Sequence, residues 1–297
     1  MENKVINKKK RNISPLNIVL GIFLVFYTFV MLFILFWGLE TSIKTHEGFR
    51  AEKVWPNADF AFENFGTVFN KFQVVVSTTT EIKVVFIEEM LVNTLLYAVG
   101  GALIQAFVPL FVAYLTAKFT YKFSKIIYWV VVVTMTLPLI GEAPSAIRIL
   151  QSLNLYDTIY GNWVQKFSFT GMYYLVFYST FESISNDYAE AAHIDGAGET
   201  TIFFKIIFPL VRNMFFTVAL LKFIEFWNDY QTPLLYLPSY PTISYGIYSL
   251  VLDKTAEMSK VPNRIAACVL VLIPILMLFI VFKNRLMGNI SMGGLKE

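Results

Sequence analysis

Long apolar runs alternate with short polar connections along the 297 residues of this chain. Six of these runs are 18 to 29 residues long and carry few charged side chains. A helix of about 20 apolar residues crosses a hydrocarbon core about 30 Å thick. The runs are residues 16–39, 90–118, 126–147, 167–184, 209–237 and 265–282. The pattern therefore predicts an all-α integral membrane protein with six transmembrane helices.

Composition supports a membrane protein and argues against other classes. Hydrophobic residues make up 56% of the chain and charged residues only 15%, whereas a soluble domain has about 25% charged residues. The net charge of +3 is small and the basic residues are scattered, which argues against a nucleic-acid partner. The single cysteine, Cys268, lies in an apolar run and is interpreted as a small core residue.

Basic residues indicate the orientation in the membrane, because cytoplasmic loops retain Lys and Arg near the bilayer. They cluster before the first run, between the second and third runs, and after the sixth, at residues 8–11, Lys118, Lys122, Lys125, Lys283 and Arg285. Both termini are therefore predicted to be cytoplasmic. The expected segments are a cytoplasmic N-terminal segment 1–15, a first transmembrane helix 16–39, an acidic extracellular segment 40–89, a five-helix transmembrane domain 90–284 and a cytoplasmic tail 285–297.

A polar, glycine-containing stretch, "DYAEAAHIDGAGETTIFFKIIFPL", interrupts the apolar pattern at residues 187–210. Asp187 and Glu190 have the spacing of a capping box, and Gly196 can adopt the left-handed conformation that ends a helix. The stretch predicts two short helices joined by a glycine turn, on the cytoplasmic side between the fourth and fifth spans. A helix of about eight residues is marginal without a tertiary partner, so we expect another surface to dock there.

This stretch resembles the EAA loop of binding-protein-dependent ABC importer permeases. Six residues match the signature in register, and Phe208 replaces its usual leucine. The six are Glu190, Ala191, Ala192, Gly196, Ile206 and Pro209. "LVNTLLYAVGGALIQAFVPLFVAYLTAKF", "FIEFWNDYQTPLLYL" and "KNRLMGNISMGGLKE" are similar to the second span, fifth span and tail of the shorter permease subunit in the maltose-type, carbohydrate-uptake branch, so the resemblance covers residues 90–297.

The resemblance implies a coupling helix that seats in a cleft of a cytoplasmic ATPase subunit. Glu190 would contact the ATPase, Ala191 and Ala192 would allow close seating, Asp195 would orient the turn and Gly196 would permit it. Asp195 and Gly196 are equally consistent with merely shaping the loop. The chain lacks a G-x-x-x-x-G-K-[ST] sequence, so ATP and magnesium are expected to be used by a partner ATPase, with no cofactor on this chain.

The resemblance also implies the remaining partners. They are a homologous second permease, two copies of the ATP-binding subunit, an extracellular solute-binding protein and a sugar or oligosaccharide. The chain would then be a multi-pass protein of a bacterial plasma membrane, in contact with lipid, and a transport subunit that is not itself an enzyme.

Polar residues inside apolar runs are the candidates for the translocation pathway, because charges within a membrane are costly and usually face a cavity or a partner helix. Glu225, Trp227, Asn228 and Asp229 lie near the end of the fifth run, and Glu142 lies in the third. Helix packing and an aromatic interface belt are the alternative explanation for the four in the fifth run, and exposure to water is the alternative for Glu142.

Other function classes receive less support from the sequence. His46 and His193 are predicted on opposite sides of the membrane and lack the spacing of a zinc site, so we expect neither a metal site nor catalysis. A secondary transporter would show related halves and central ionisable residues, and a channel subunit would show a filter segment. These two classes remain the alternative to an importer permease, but they leave the 187–210 pattern unexplained.

Overall fold

The apolar runs form helices in a computed structural model that describes residues 14–77, 82–119, 121–137, 141–250 and 257–290, the last nine of these as backbone only. The basic cluster at residues 8–11 and most of the tail lie outside the described residues. The helices are α1 (Pro15–Ser42), α2 (His46–Ala51), α3 (Glu63–Lys71), α4 (Ile87–Lys118), α5 (Lys122–Thr136), α6 (Ala143–Ser152), α7 (Ile159–Gln165), α8 (Met172–Ser183), α9 (Asp187–Ile194), α10 (Glu199–Ile202), α11 (Phe208–Asn228), α12 (Gln231–Tyr236), α13 (Ile243–Ser249) and α14 (Val261–Ile290).

Four helical stretches among the described residues are long and apolar enough to cross a membrane. They are Pro15–Ser42, Ile87–Lys118, Glu199–Asn228 and Val261–Val281. The predicted helical membrane architecture is therefore confirmed in its coarse form. The third and fourth predicted spans correspond to shorter helices, α5 with 15 residues and α8 with 12, which are about 22 and 18 Å long.

Three predicted span boundaries are wrong, each because the backbone leaves the helix inside an apolar run. The run 126–147 is not one helix, since Gly141 has φ of +76° between α5 and α6. The run 167–184 becomes helical only after Gly171, whose φ is +135°. The run 209–237 is divided after Asn228, where Asp229 has extended backbone angles and α12 follows.

Helix α4 is the centre of the bundle, because it packs against both α8 and α11. Its buried face is rich in small residues, including Ala98, Ala102 and Ala106, which allow neighbouring helices to approach closely. At Gly100 the approach is so close that an added Cβ would lie 2.3 Å from the Trp163 ring of α7. The sequence of α4 thus determines where its neighbours lie.

The described residues between α1 and α4, 43–77 and 82–86, form a folded segment. Its strands β1 (Gln73–Ser77) and β2 (Ile82–Phe86) pair antiparallel, with Val75 opposite Val84. Helix α3 packs against α14, and Phe72 is fully buried beneath the hairpin. Among the other phenylalanines of this segment, Phe65 is partly buried whereas Phe60, Phe62 and Phe69 are exposed.

A buried ion pair fastens this segment to the end of α1. Lys44 Nζ lies 2.8 Å from Glu40 Oε1, and the two side chains are 1% and 8% exposed. The same ammonium group donates to the backbone carbonyls of Glu52 and Trp55, each at 2.9 Å. Since an ammonium group has three donors, all three are satisfied.

A π-helical turn, Phe203–Ile207, joins α10 to α11, so the helix continues from Glu199 to Asn228. Pro209 lies in the first turn of α11, where its missing N–H cannot bond the Lys205 carbonyl and its ring would crowd that carbonyl. A π turn adds a residue to the helix and moves the carbonyl aside. The predicted boundary between a short helix and the fifth span is thus a wide turn within one continuous helix.

Candidate functional site

Helix α9 and the turn after it form the polar loop that the sequence singles out. Gly196 has φ of +79°, and its N–H bonds the His193 carbonyl while the Ala197 N–H bonds the Ala192 carbonyl. This pair of bonds is a Schellman motif, which requires the left-handed residue at Gly196. The predicted helix–glycine turn–helix arrangement is therefore present. The predicted capping box is wrong, because Asp187 is the first residue inside the helix and Asn186 occupies the N-cap.

The loop exposes most of the predicted docking residues. Glu190, Ala191, Asp195 and Gly196 are all exposed. Ala192 differs, since it is only 7% exposed and packs into the core between α4, α8 and α11. Ala192 therefore seats α9 on its own chain and is not on the free surface.

Ile194 is the most prominent apolar side chain of the loop, at 87% exposed. It lies at the last position of α9, directly before the glycine turn. An isolated exposed isoleucine is ordinary on a protein surface. Here it is surrounded by the exposed Glu190 and Asp195, so that the loop presents one apolar tip within a polar rim.

The base of the loop is tied to the bundle by Lys118, the last residue of α4. Its Nζ donates to the Ile184 carbonyl and, at 2.9 Å, to Asn186 Oδ1. Across the glycine turn, His193 Nε2 lies 3.2 Å from Glu199 Oε1. A groove of about 190 Å³ lies between these contacts. These bonds hold α9 in a defined position relative to α4 and to the start of the long helix.

The end of α11 carries four of the five predicted pathway residues, and two of them, Trp227 and Asp229, are not exposed. Trp227 is 1% exposed within a core cluster. Asp229 accepts a 2.6 Å hydrogen bond from the Tyr97 hydroxyl and a 3.0 Å bond from the Thr232 N–H. Asp229 therefore joins α4 to the start of α12. Trp227 and Asp229 fit the packing alternative better than direct contact with a solute.

Glu225 and Asn228 are exposed. The Asn228 amide donates to the Ile224 carbonyl at 2.8 Å, one turn earlier in the same helix. Glu225 Oε2 lies 2.8 Å from Lys222 Nζ. These two side chains remain candidates for the pathway surface. Glu142 is exposed before α6, on a different element from the other four.

Two lysines near this group were missed by the sequence reasoning. Lys166 Nζ lies 4.7 Å from the centre of the Phe226 ring, and Lys222 Nζ lies 5.3 Å from that of Tyr173, within the range of cation–π attraction. Lys222 could have been found, because it is a charged residue inside a predicted span. Lys166 gave less signal, since it precedes an apolar run by one residue.

Within the described part of the chain, no group of three or more His, Cys, Asp and Glu side chains is placed to hold a metal ion. The geometry consists instead of a helical loop with an apolar tip and a bundle with charged groups at one helix end. Such an arrangement can dock a partner and line a passage.

Comparison with known proteins decides between the membrane-protein classes. Residues 109–291, more than half of the chain, match the family described as the binding-protein-dependent transport system inner membrane component. The chain belongs to this family. The permease therefore functions as a membrane subunit of an ABC importer, which confirms the importer prediction over a secondary transporter or a channel.

Curated relatives are similar over most of their length. The diacetylchitobiose uptake system permease protein NgcG of Streptomyces coelicolor is 26% identical over 68% of the permease and 67% of its own chain. The melibiose/raffinose/stachyose import permease protein MelC of Bacillus subtilis is 24% identical over 87% of the permease and 89% of its own chain.

A crystal structure of a bacterial ABC transporter involved in the import of the acidic polysaccharide alginate contains a chain with the same fold. Its TM-score to the permease is 0.75, over 93% of the permease and 98% of that chain, at 21% identity. This likeness establishes that the two chains share a fold.

Proposed function

We propose that the permease carries a sugar or oligosaccharide, delivered by an extracellular solute-binding protein, and that α9 is its coupling helix. The names of the relatives support the solute class, since NgcG and MelC are described as saccharide permeases. The observation that carries the coupling role is the exposed loop with Ile194 at its tip, held in place by Lys118.

The proposal includes the topology and the partners. The proposed topology has six membrane crossings, with α5 and α8 as the shorter ones, and it has both termini and α9 in the cytoplasm, where an ATPase subunit is available. The partners are a homologous second permease and two ATPase subunits that bind ATP and magnesium. The apolar tip enters a cleft of one ATPase, and Glu190 meets a basic or polar group at its rim.

In this mechanism the permease transmits force and performs no chemistry. Closure of the ATPase dimer displaces α9, and the Schellman turn passes that displacement to the continuous helix Glu199–Asn228. Ala192 keeps α9 seated on the bundle during the displacement, because its side chain is packed in the core.

Co-purification with the ATPase tests this function. The tagged permease is extracted in mild detergent as the native chain, as Glu190→Lys and as Ile194→Asp, after equal membrane insertion has been verified. Both variants should lose most of the ATPase, since one reverses a rim charge and the other places a charge at the apolar tip. The control is Glu47→Lys, which reverses an exposed glutamate of α2 and should retain the ATPase.

Equal retention of the ATPase by all four proteins would show that α9 is not the docking element. Failure of the ATPase to accompany even the native chain would contradict the coupling role of the loop.

A further inference from the structure

A cleft of about 230 Å³ lies between α4, the start of α8 and α11. Its polar lining comes from Gln105 of α4, Ser168 and Thr170 of the segment before α8, Tyr173 of α8 and Lys222 of α11. We call it the Lys222 cleft. It is distinct from the four predicted pathway residues at the end of α11, none of which lines it.

The residues of α4, α8 and α11 that line the Lys222 cleft lie at the same depth in the bundle. Lys118, Ile184 and Ile207 lie together at the α9 end, where Lys118 bonds Ile184 and shares a groove with Ile207. Along α4, Gln105 is 13 residues from Lys118. Along α8, Gly171 is 13 residues from Ile184. Along α11, Lys222 is 15 residues from Ile207. At about 1.5 Å per residue these are about 20 to 22 Å, within a hydrocarbon core about 30 Å thick.

The backbone at this depth is not helical. Residues 167–171 connect α7 to α8 without regular structure, and Gly171 begins α8 with a φ of +135°. Irregular backbone at membrane depth is tolerated only where it is buried in protein or lines a water-filled cavity. Thr170 is exposed on this chain, which favours the second condition, in which the Lys222 cleft opens to water.

The charged side chain that lines the Lys222 cleft is a cation, and the carboxylate that pairs with it, Glu225, is not among the lining residues. Lys222 is the charged side chain among its lining residues. Helix α8 has 12 residues, and its N-terminus opens at the cleft without a side-chain cap, so its first N–H groups and its dipole favour a negative group. The partner of Lys222, Glu225, is 57% exposed while Lys222 is 16% exposed, which places the carboxylate on the outer side of the pair.

Neutral hydrogen-bonding groups complete the lining. Ser168 and Thr170 hydroxyls lie 2.9 Å apart. Pro109, inside α4, cannot donate the backbone bond that would otherwise reach the Gln105 carbonyl. These groups suit solute hydroxyls, and a discontinuous helix whose N-terminus faces the solute is a known means of holding an anionic solute group in transporters.

We propose that the Lys222 cleft holds the carboxylate of an acidic saccharide as it crosses the bundle. This assignment rests on the proposed importer function and adds the charge of the solute to it. Lys222 contributes the positive charge, the α8 N-terminus contributes N–H donors, and Ser168, Thr170 and Gln105 contact neighbouring hydroxyls.

The charge of the cleft can be measured without transport or ATPase docking. In a Cys268→Ser background, which removes the single cysteine, Thr170→Cys is modified in open membrane fragments with two methanethiosulfonates of similar size. One carries a sulfonate and the other a trimethylammonium group. Ser152→Cys, at the exposed end of α6, gives the reference rates.

Relative to the reference, Thr170→Cys should favour the anionic reagent by about tenfold, since a charge effect of about 1.4 kcal/mol corresponds to that ratio. Lys222→Met should abolish the preference, and Lys222→Arg should restore it. The acidic trisaccharide trimannuronate should slow modification of Thr170→Cys, whereas neutral mannotriose should not.

A preference near one in the native background, or one that survives Lys222→Met, would overturn the positive cleft. Equal protection by both trisaccharides, or protection by neither, would overturn the acidic solute. Because the assay contains no ATPase, these outcomes are separate from failure of the coupling function.

Discussion

At the scale of single residues, Gly196 determines the shape of the loop that follows α9. Its positive φ ends α9 and allows the two Schellman bonds. An added Cβ would meet no atom within 4 Å, so a substitution there is opposed by backbone strain alone. For an L-residue with a side chain, the left-handed conformation costs about 1 to 2 kcal/mol.

The first prediction is therefore that Gly196→Ala loosens the loop without creating a clash. Amide hydrogen exchange across residues 187–197 should quicken by about fivefold to thirtyfold, which corresponds to about 1 to 2 kcal/mol of lost local stability. Gly198→Ala is the matched control, since Gly198 has φ of −78° and equally open surroundings. Equal exchange rates in the two variants would contradict this role for Gly196.

Single residues also show which features of the loop after α9 could be predicted from the sequence and which could not. Glycine at the end of a short helical stretch predicted the left-handed turn, because few other residues adopt that conformation at low cost. The sequence reasoning wrongly assigned Ala192 to the docking surface along with Ala191. Adjacent helical residues are about 100° apart around the axis and residues two apart about 200°, so Ala192 and Ile194 face opposite sides, but only the bundle determines which side is buried.

At the scale of helices, close approach at Gly100 holds α7 against α4. The Trp163 ring occupies the space that a side chain at residue 100 would need, and its Nε1–H donates to the Leu96 carbonyl at 3.1 Å. A glycine at this position allows the neighbouring helix to approach α4 closely.

The second prediction is that Gly100→Ala destabilises the folded permease although alanine favours helices. Overpacking against Trp163 should cost about 1 to 3 kcal/mol and lower the thermal unfolding temperature in detergent. In Gly38→Ala, within α1, the added methyl group meets no atom within 4 Å, so the higher helix propensity should leave the unfolding temperature unchanged or raised. A fall in Gly38→Ala as large as in Gly100→Ala would show that helix propensity, and not contact with Trp163, decides the outcome.

Hydropathy correctly predicted that long helices exist, but it did not predict where the helices are interrupted. Long apolar runs predicted α1, α4, α11 and α14 because burial in lipid needs only apolar side chains. Hydropathy contains no information on backbone conformation, so the breaks at Gly141 and Gly171 were not predicted. The glycines were visible in the sequence, but their conformations depend on tertiary contacts.

At the scale of the whole molecule, the described residues between α1 and α4 are part of the bundle's structure rather than a free loop. The Lys44–Glu40 pair joins them to α1, and α3 joins them to α14. Breaking a buried ion pair by removing one partner is costly, while replacing both partners with apolar residues is often neutral.

The third prediction follows from that asymmetry. Lys44→Met should destabilise the segment by about 3 to 5 kcal/mol, because Glu40 is left as a buried unpaired charge, and proteolysis within residues 43–86 should accelerate. The Glu40→Leu, Lys44→Met double variant should recover most of the loss. Lys53→Met, at an exposed lysine, is the control, and a single-variant loss no larger than that of the control would exclude a structural role for the pair.

The continuous helix from Glu199 to Asn228 has a mechanical consequence for the whole permease. Its 30 residues span about 45 Å, and the π turn near one end widens the helix without interrupting it. A tilt of about 5° about the Glu199 end would move the far end by about 4 Å. Under the proposed coupling function, the helix would therefore act as a lever, in which a small displacement at the ATPase end becomes an opening about as wide as a water molecule at the opposite end.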